Sequence, residues 1–199
     1  MVIFYALLEV FAAAIILLPV FIVLNIVLFR NLKKSIVCFL FSLYLSAVYY
    51  FVGLPNITYI RFELTLYLLP FVGILDDLKN SLLNILLFVP LGMILPLVWE
   101  KHRNKKRTLL FGFGTSLFIE LLQILTFRAT DINDLITNTL GTFVGFILAD
   151  VLIRKVPVVK KLSHGTRVSE LYLVCILTFA VMFLVQPFIH TVLWNLVMH

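Results

Sequence analysis

The sequence predicts an all-α polytopic integral membrane protein, a helical bundle of about six transmembrane helices. Three observations carry that reading. Hydrophobic residues make up 62% of the 199 positions and charged ones only 13%, and Phe alone occurs nineteen times. A soluble domain has about 45–50% apolar and about 25% charged residues. The apolar residues fall in runs of the roughly 20 residues that a helix needs to cross about 30 Å of hydrocarbon. These runs are unbroken, whereas the strands of a membrane barrel read as short alternating segments.

Taken in order, helix one covers about 2–29, helix two about 36–54 and helix three about 80–99. Helix four covers about 108–127, helix five about 132–153 and helix six about 170–195. All 199 residues read as one transmembrane domain, with no soluble domain or long linker. The connection 55–79 is the one long loop; its "YIRFELTLYLLPF" reads as an extended or re-entrant piece at the interface, rimmed by Arg61 and Glu63. Asp76, Asp77 and Lys79 read as a solvated loop, and Asp150 as the partner of Arg154 one turn on. No basic residue precedes the first apolar run, which is too long for a signal peptide.

Charge sets the expected orientation. Thirteen of the sixteen basic residues fall on one side of a six-span chain: Arg30, Lys33 and Lys34; Lys101, Arg103, Lys105, Lys106 and Arg107; Arg154, Lys155, Lys160, Lys161 and Arg167. Arg61, Lys79 and Arg128 fall on the other. The positive-inside rule places the thirteen in the cytoplasm and both termini outside. The net charge of +6 is therefore a topology signal and an attraction to anionic lipid heads, not a nucleic-acid footprint. Cys38 and Cys175 lie mid-span as packing residues, and no His/Cys spacing suggests zinc.

Against this apolar background one stretch stands out: "IELLQILTFRATDINDLITNTLG", residues 119–141. Glu120 and Gln123 share a face of helix four with Ser116 and Gly112. On helix five, Asp131, Asp134, Asn138, Gly141 and Gly145 follow at steps of 3, 4, 3 and 4, which is one helical face. Gly141 and Gly145 form a GxxxG that admits a close neighbour, expected to be helix four. Ser81, Asn84, Phe88 and Gly92 make a similar face on helix three, and Glu9 lies at a comparable depth on helix one. An Asp at mid-helix costs about 2.5–3.5 kcal/mol on an insertion scale. Charges kept there face a bundle interior or a wet cavity and mark function by default. Blander roles stay open: Asp131 as a helix cap, Arg128 as a tie across the turn, Asn84, Gln123 and Asn138 as glue between helices.

The segments "NILLFVPLG" at 84–92, "IELLQ" at 119–123, Arg128 and "DINDLITNTLG" at 131–141, with "LTLYLLPF" at 64–71 before them, together resemble the VanZ-like family. The resemblance covers about 60–150. It implies a multi-pass protein of the bacterial cytoplasmic membrane, from a family whose founding member is linked to low-level resistance to the lipoglycopeptide teicoplanin without a change in cell-wall precursor. By position, its characteristic polar residues here are Asn84, Glu120, Gln123, Arg128, Asp131, Asp134 and Asn138.

Two functions compete. In the first, these seven residues form an outer-leaflet pocket for an amphiphile: a membrane lipid, a lipid-linked wall precursor or a lipoglycopeptide. In the second, the protein is an enzyme acting on a lipid or wall-precursor headgroup, with Glu120 as general acid or base, Asp134 as its catalytic companion and Arg128 on a phosphate. No cofactor is expected, although Asp131 and Asp134 offer oxygen ligands to Mg²⁺ or Ca²⁺. Transport ranks last, because no internal repeat is evident and the polar layer is off-centre.

Overall fold

The computed structural model describes residues 2–62, 64–72, 78–126, 128–156 and 166–198. It is nearly all-α. The chain runs through α1 (Val2–Leu24, prolonged by a π-turn over Asn25–Phe29), α2 (Leu32–Phe51), the two-residue strand β1 (Leu66–Tyr67) and α3 (Leu78–Val98). A 3₁₀ turn (Glu100–Arg103) leads to α4 (Lys105–Gln123), β2 (Thr130–Asp131) and α5 (Ile132–Lys155). Last come α6 (Val168–Ala180), a second π-turn (Val181–Val185) and α7 (Gln186–Met198). Contacts divide the chain into two compact units, Met1–Ile60 with Ser169–His199, and Arg61–Val168.

Among the described residues five segments are long and apolar enough to cross a membrane: Phe4–Phe29, Leu32–Phe51, Leu78–Val98, Ile132–Lys155 and Val168–Leu196. The expected helix four is the exception, diluted by Lys105, Lys106 and Arg107 at one end and by Glu120 and Gln123 at the other. Packing within the second unit nevertheless makes α4 a full return pass. A Cβ on Gly141 would overlap the Ile85 carbonyl, and one on Gly145 the Val89 carbonyl. Residue numbers rise together on α3 and α5, so these helices run parallel. On α4 and α5 they run in opposite senses: a Cβ on Gly112 would overlap the Thr142 side chain, and Ser116 bonds Asn138. The 19 residues of α4, about 28 Å at 1.5 Å per residue, carry the chain back between two parallel helices.

That register corrects one expectation. The GxxxG of α5 seats α3, not α4; Gly92 of α3 answers it by lying against the Thr142 carbonyl. Three glycines thus let two backbones meet, the geometry that small residues permit in membranes. α4 also starts and stops earlier than the expected 108–127. Asn104 Oδ1 accepts the Arg107 N–H at 3.2 Å and caps the helix a turn sooner. At the other end Thr126 Oγ1 donates to the Gln123 carbonyl at 2.9 Å, which closes the last turn.

The first unit is packed by side chains. α1 buries Ala12, Ala13, Leu17 and Phe21, and α2 buries Cys38 and Phe41. The Arg30 backbone is left-handed at φ 47°, a C-cap that reverses the chain into α2. Lys34 and Glu170 form a part-buried ion pair at 2.6 Å. Within the second π-turn, the Phe183 carbonyl accepts the Ile57 N–H at 3.0 Å.

Candidate functional site

The site lies where α4 ends and α5 begins. The chain leaves α4 at Gln123, turns through Thr126 and Arg128, and enters β2 before Asp131 caps α5. Asp131 Oδ1 accepts the Asn133 N–H at 2.8 Å, so the capping role foreseen for this residue is realised. The same residue donates its own backbone N–H to Glu120 Oε2 at 2.9 Å. Thr130 Oγ1 donates to the Glu120 carbonyl, also at 2.9 Å. Glu120 is only 3% exposed and is held by the backbone of the strand that precedes α5.

Around this carboxylate the other charged residues gather. Asp131, Asp134 and Arg128 are all near enough to act on Glu120 electrostatically. Asp131 and Asp134 are half-buried and Arg128 is exposed at the rim. One layer deeper, Asn138 Nδ2 donates to Ser116 Oγ at 2.9 Å, a buried bond from α5 to α4. Such an interhelical bond is worth about 0.6–2 kcal/mol in a membrane. Asn138 Oδ1 is buried with no hydrogen-bond partner among the described residues. Gln123 is buried on the same α4 face, one turn beyond Glu120.

Asn84 joins less directly. It is half-buried on α3 beside Ile85, whose carbonyl abuts Gly141, and its side chain makes no hydrogen bond among the described residues. Glu9 belongs to the first unit and finds its partners there: Gln186 Nε2 donates to its Oε2, and His190 Nε2 lies 3.4 Å from its Oε1. Of the remaining expectations, Asp150 and Arg154 pair at 2.8 Å. Glu63, Asp76, Asp77, Lys160 and Lys161 lie outside the described residues.

The long connection supplies what single-residue reading missed. Its extended part pairs with the α4–α5 turn, Leu66 opposite Thr130 and Tyr67 opposite Asp131, in parallel register. Arg61 N–H donates to the Leu125 carbonyl at 3.0 Å, and Thr130 N–H to the Thr65 carbonyl at 2.9 Å. Asn133 then clamps the far side. Its Oδ1 accepts the Phe71 N–H at 2.7 Å and its Nδ2 donates to the Val72 carbonyl at 3.0 Å. Phe71 sits at φ 67°, a left-handed conformation that costs a bulky residue on the order of 1–3 kcal/mol and persists only where its surroundings enforce it. Asn133, buried on α5, provides that enforcement. The signal available in the sequence was a second amide in the first turn of α5, off the Asp131–Asp134–Asn138 stripe.

Chemically, the arrangement offers carboxylate and amide acceptors inside an apolar unit, the Arg128 cation at the rim and an extended segment strapped beside them. Among the described residues no group of three or more His, Cys, Asp or Glu is disposed to hold a metal ion. Asp131 already spends one oxygen as a cap.

A family model described as VanZ/LLP1 matches residues 41–153, more than half of the chain and all of the site. No curated protein and no solved structure matches the chain.

Proposed function

The chain belongs to the VanZ/LLP1 family of membrane proteins, and from that premise we propose that it lowers sensitivity to lipoglycopeptides such as teicoplanin by binding an amphiphile at the Glu120 cluster. The ligand is a lipoglycopeptide or a lipid-linked wall precursor that enters from the outer leaflet of a bacterial cytoplasmic membrane. Its polar head meets Glu120, Arg128, Asp131 and Asp134, and its amide or hydroxyl groups reach Gln123, Asn138 and Asn84. Its tail lies along the apolar helices.

One observation carries this reading. Glu120 is buried in an apolar unit yet held by a backbone N–H, with two further carboxylates and a rim cation in electrostatic reach. Capping and interhelical bonding account for one oxygen of Asp131 and for Asn138, but gathering three carboxylates around one buried point carries a desolvation cost that apolar packing avoids. The orientation rests on the positive-inside rule, with the basic ends of α3, α4 and α5 in the cytoplasm and the segment from Arg128 to Asp131 outside.

The test is resistance in cells. Glu120→Ala is expected to abolish the protection that the wild-type protein gives against teicoplanin, at equal membrane abundance; undiminished protection contradicts the proposal. Profiling lipids and wall precursors in the same cells separates binding from chemistry. Identical profiles leave binding, whereas a headgroup or precursor product that vanishes with Glu120→Ala points to turnover with Glu120 as acid or base. Orientation is checked by labelling Arg128→Cys in intact cells with a membrane-impermeant maleimide, which is expected to react.

A further inference from the structure

A groove lies along the first half of α4, from Asn104 to Phe113, and reaches Thr139 of α5. It runs along α4 against α5, with a cavity volume of about 560 Å³, and Lys105, Lys106, Leu109, Leu110, Phe113 and Thr139 line it. Ligand pockets occupy about 300–1,000 Å³, so its size is that of a lipid chain or a drug-sized molecule. Its character is split. Leu109, Leu110 and Phe113 form an apolar body, and two lysines stand at one end. Neither lysine has an acidic partner among the described residues. Lys105 turns its ammonium over the Phe143 ring of α5, 4.5 Å from the centroid, so this cation is held toward α5.

The lysines are not there to stabilise α4. They fall in its first turn, with no acidic residue beside them, where the helix dipole disfavours cations. Thr139 adds no ligand group, since its hydroxyl donates to the Leu135 carbonyl at 2.7 Å. What the groove asks for is one negative charge continuous with a long apolar chain.

We propose that the groove between α4 and α5 is a binding site for an anionic phospholipid, with the phosphate between Lys105 and Lys106 and an acyl chain along Leu109, Leu110 and Phe113. Charge complementarity selects the occupant. A zwitterionic lipid brings its own cation to a site that already holds two, and an uncharged chain leaves both lysines without a counter-charge. The site shares no residue with the Glu120 cluster and its proposed occupancy does not require that cluster to bind a drug.

The test is native mass spectrometry of the delipidated full chain, titrated with phosphatidylglycerol, with phosphatidylcholine of the same chains and with glycerol phosphate as comparisons. A phosphatidylglycerol adduct is expected to survive conditions that strip phosphatidylcholine. Its affinity is expected to fall about tenfold or more in Lys105→Gln/Lys106→Gln. A similar fall is expected in Thr139→Phe, which fills the groove and leaves every charge in place. Lys101→Gln/Lys155→Gln removes two exposed charges from the same end and is expected to bind as wild type. Four results overturn the site: equal retention of phosphatidylcholine, an equal loss in Lys101→Gln/Lys155→Gln, undiminished binding in Thr139→Phe, or displacement of the lipid by glycerol phosphate. Should Thr139→Phe fail to fold, Leu110→Trp fills the same groove from an exposed position of α4.

Discussion

Glu120 and Glu9 are both carboxylates carried on long apolar helices, and the two units hold them differently. Glu120 takes a backbone N–H from Asp131, in a turn itself fixed by β1 and by Asn133. Glu9 is held by two side chains, Gln186 and His190, on the last helix of the first unit. The surroundings differ as well. Beside Glu9, Tyr5 and His190 each stack on Trp194, at 5.4 Å and 6.3 Å between ring centroids. Around Glu120 the neighbours are polar and acidic. The helix contacts follow the same division: glycine against backbone in the second unit, Phe and aliphatic side chains in the first. A carboxylate tied to side chains belongs to a helix–helix joint. Glu120 is tied to the backbone inside a strapped turn, and it is the one within residues 41–153.

The strongest way to break this contrast is at the glycines. Gly145→Leu places a side chain where the Val89 carbonyl lies, and is expected to cost about 3 kcal/mol or more and prevent recovery of folded protein. Size-exclusion profile and thermal melting in detergent check it; a folded, normally melting variant refutes the parallel α3–α5 register. The two carboxylates come next. Glu9→Ala is expected to lose about 1–3 kcal/mol of stability, because Gln186 and His190 are left without their partner, yet to keep its protection against teicoplanin. Loss of protection at full abundance would erase the distinction between the two residues. Asn133→Ala removes two hydrogen bonds of about 0.5–1.5 kcal/mol each and frees Phe71 from its left-handed conformation. Faster proteolysis within 61–72 is expected, measured by limited digestion against wild type. The smallest effect is expected at Gly114, where an added Cβ meets nothing within 4 Å. Gly114→Ala should gain up to about 1 kcal/mol from helix propensity, and a loss there would show that the open space is needed.

Much of this was legible in the sequence, and the gaps have physical causes. Runs of apolar residues mark helices because lipid leaves no other way to satisfy the backbone, so the six helical passes and their rough limits could be read directly. The face of Asp134 and Asn138 was readable for the same reason that any helical face is, whereas Asp131 stands before the helix as its extended cap. The partner of the GxxxG was not: small residues announce a close approach without saying to whom, and the parallel register of α3 and α5 is a non-local fact. Strands of two residues carry no periodicity, so the pairing of Leu66 and Tyr67 with Thr130 and Asp131 left no pattern. Asn133 lies off the polar stripe, on the side of α5 that faces the loop, so no helical spacing marks it. The partners of Glu9 lie on the last helix, far along the chain, where no local spacing connects them.

The measurement closest to the central claim is the affinity of purified, lipid-reconstituted protein for teicoplanin and for a lipid-linked wall precursor, compared between wild type, Glu120→Gln and Glu9→Gln. Glu120→Gln keeps the shape and an oxygen acceptor for the Asp131 N–H but removes the charge. It is expected to weaken binding of at least one of the two ligands about tenfold or more, the worth of a charged hydrogen bond of about 1.5–3 kcal/mol, while Glu9→Gln binds as wild type. Equal affinities in all three proteins, or no binding by any of them, would contradict it.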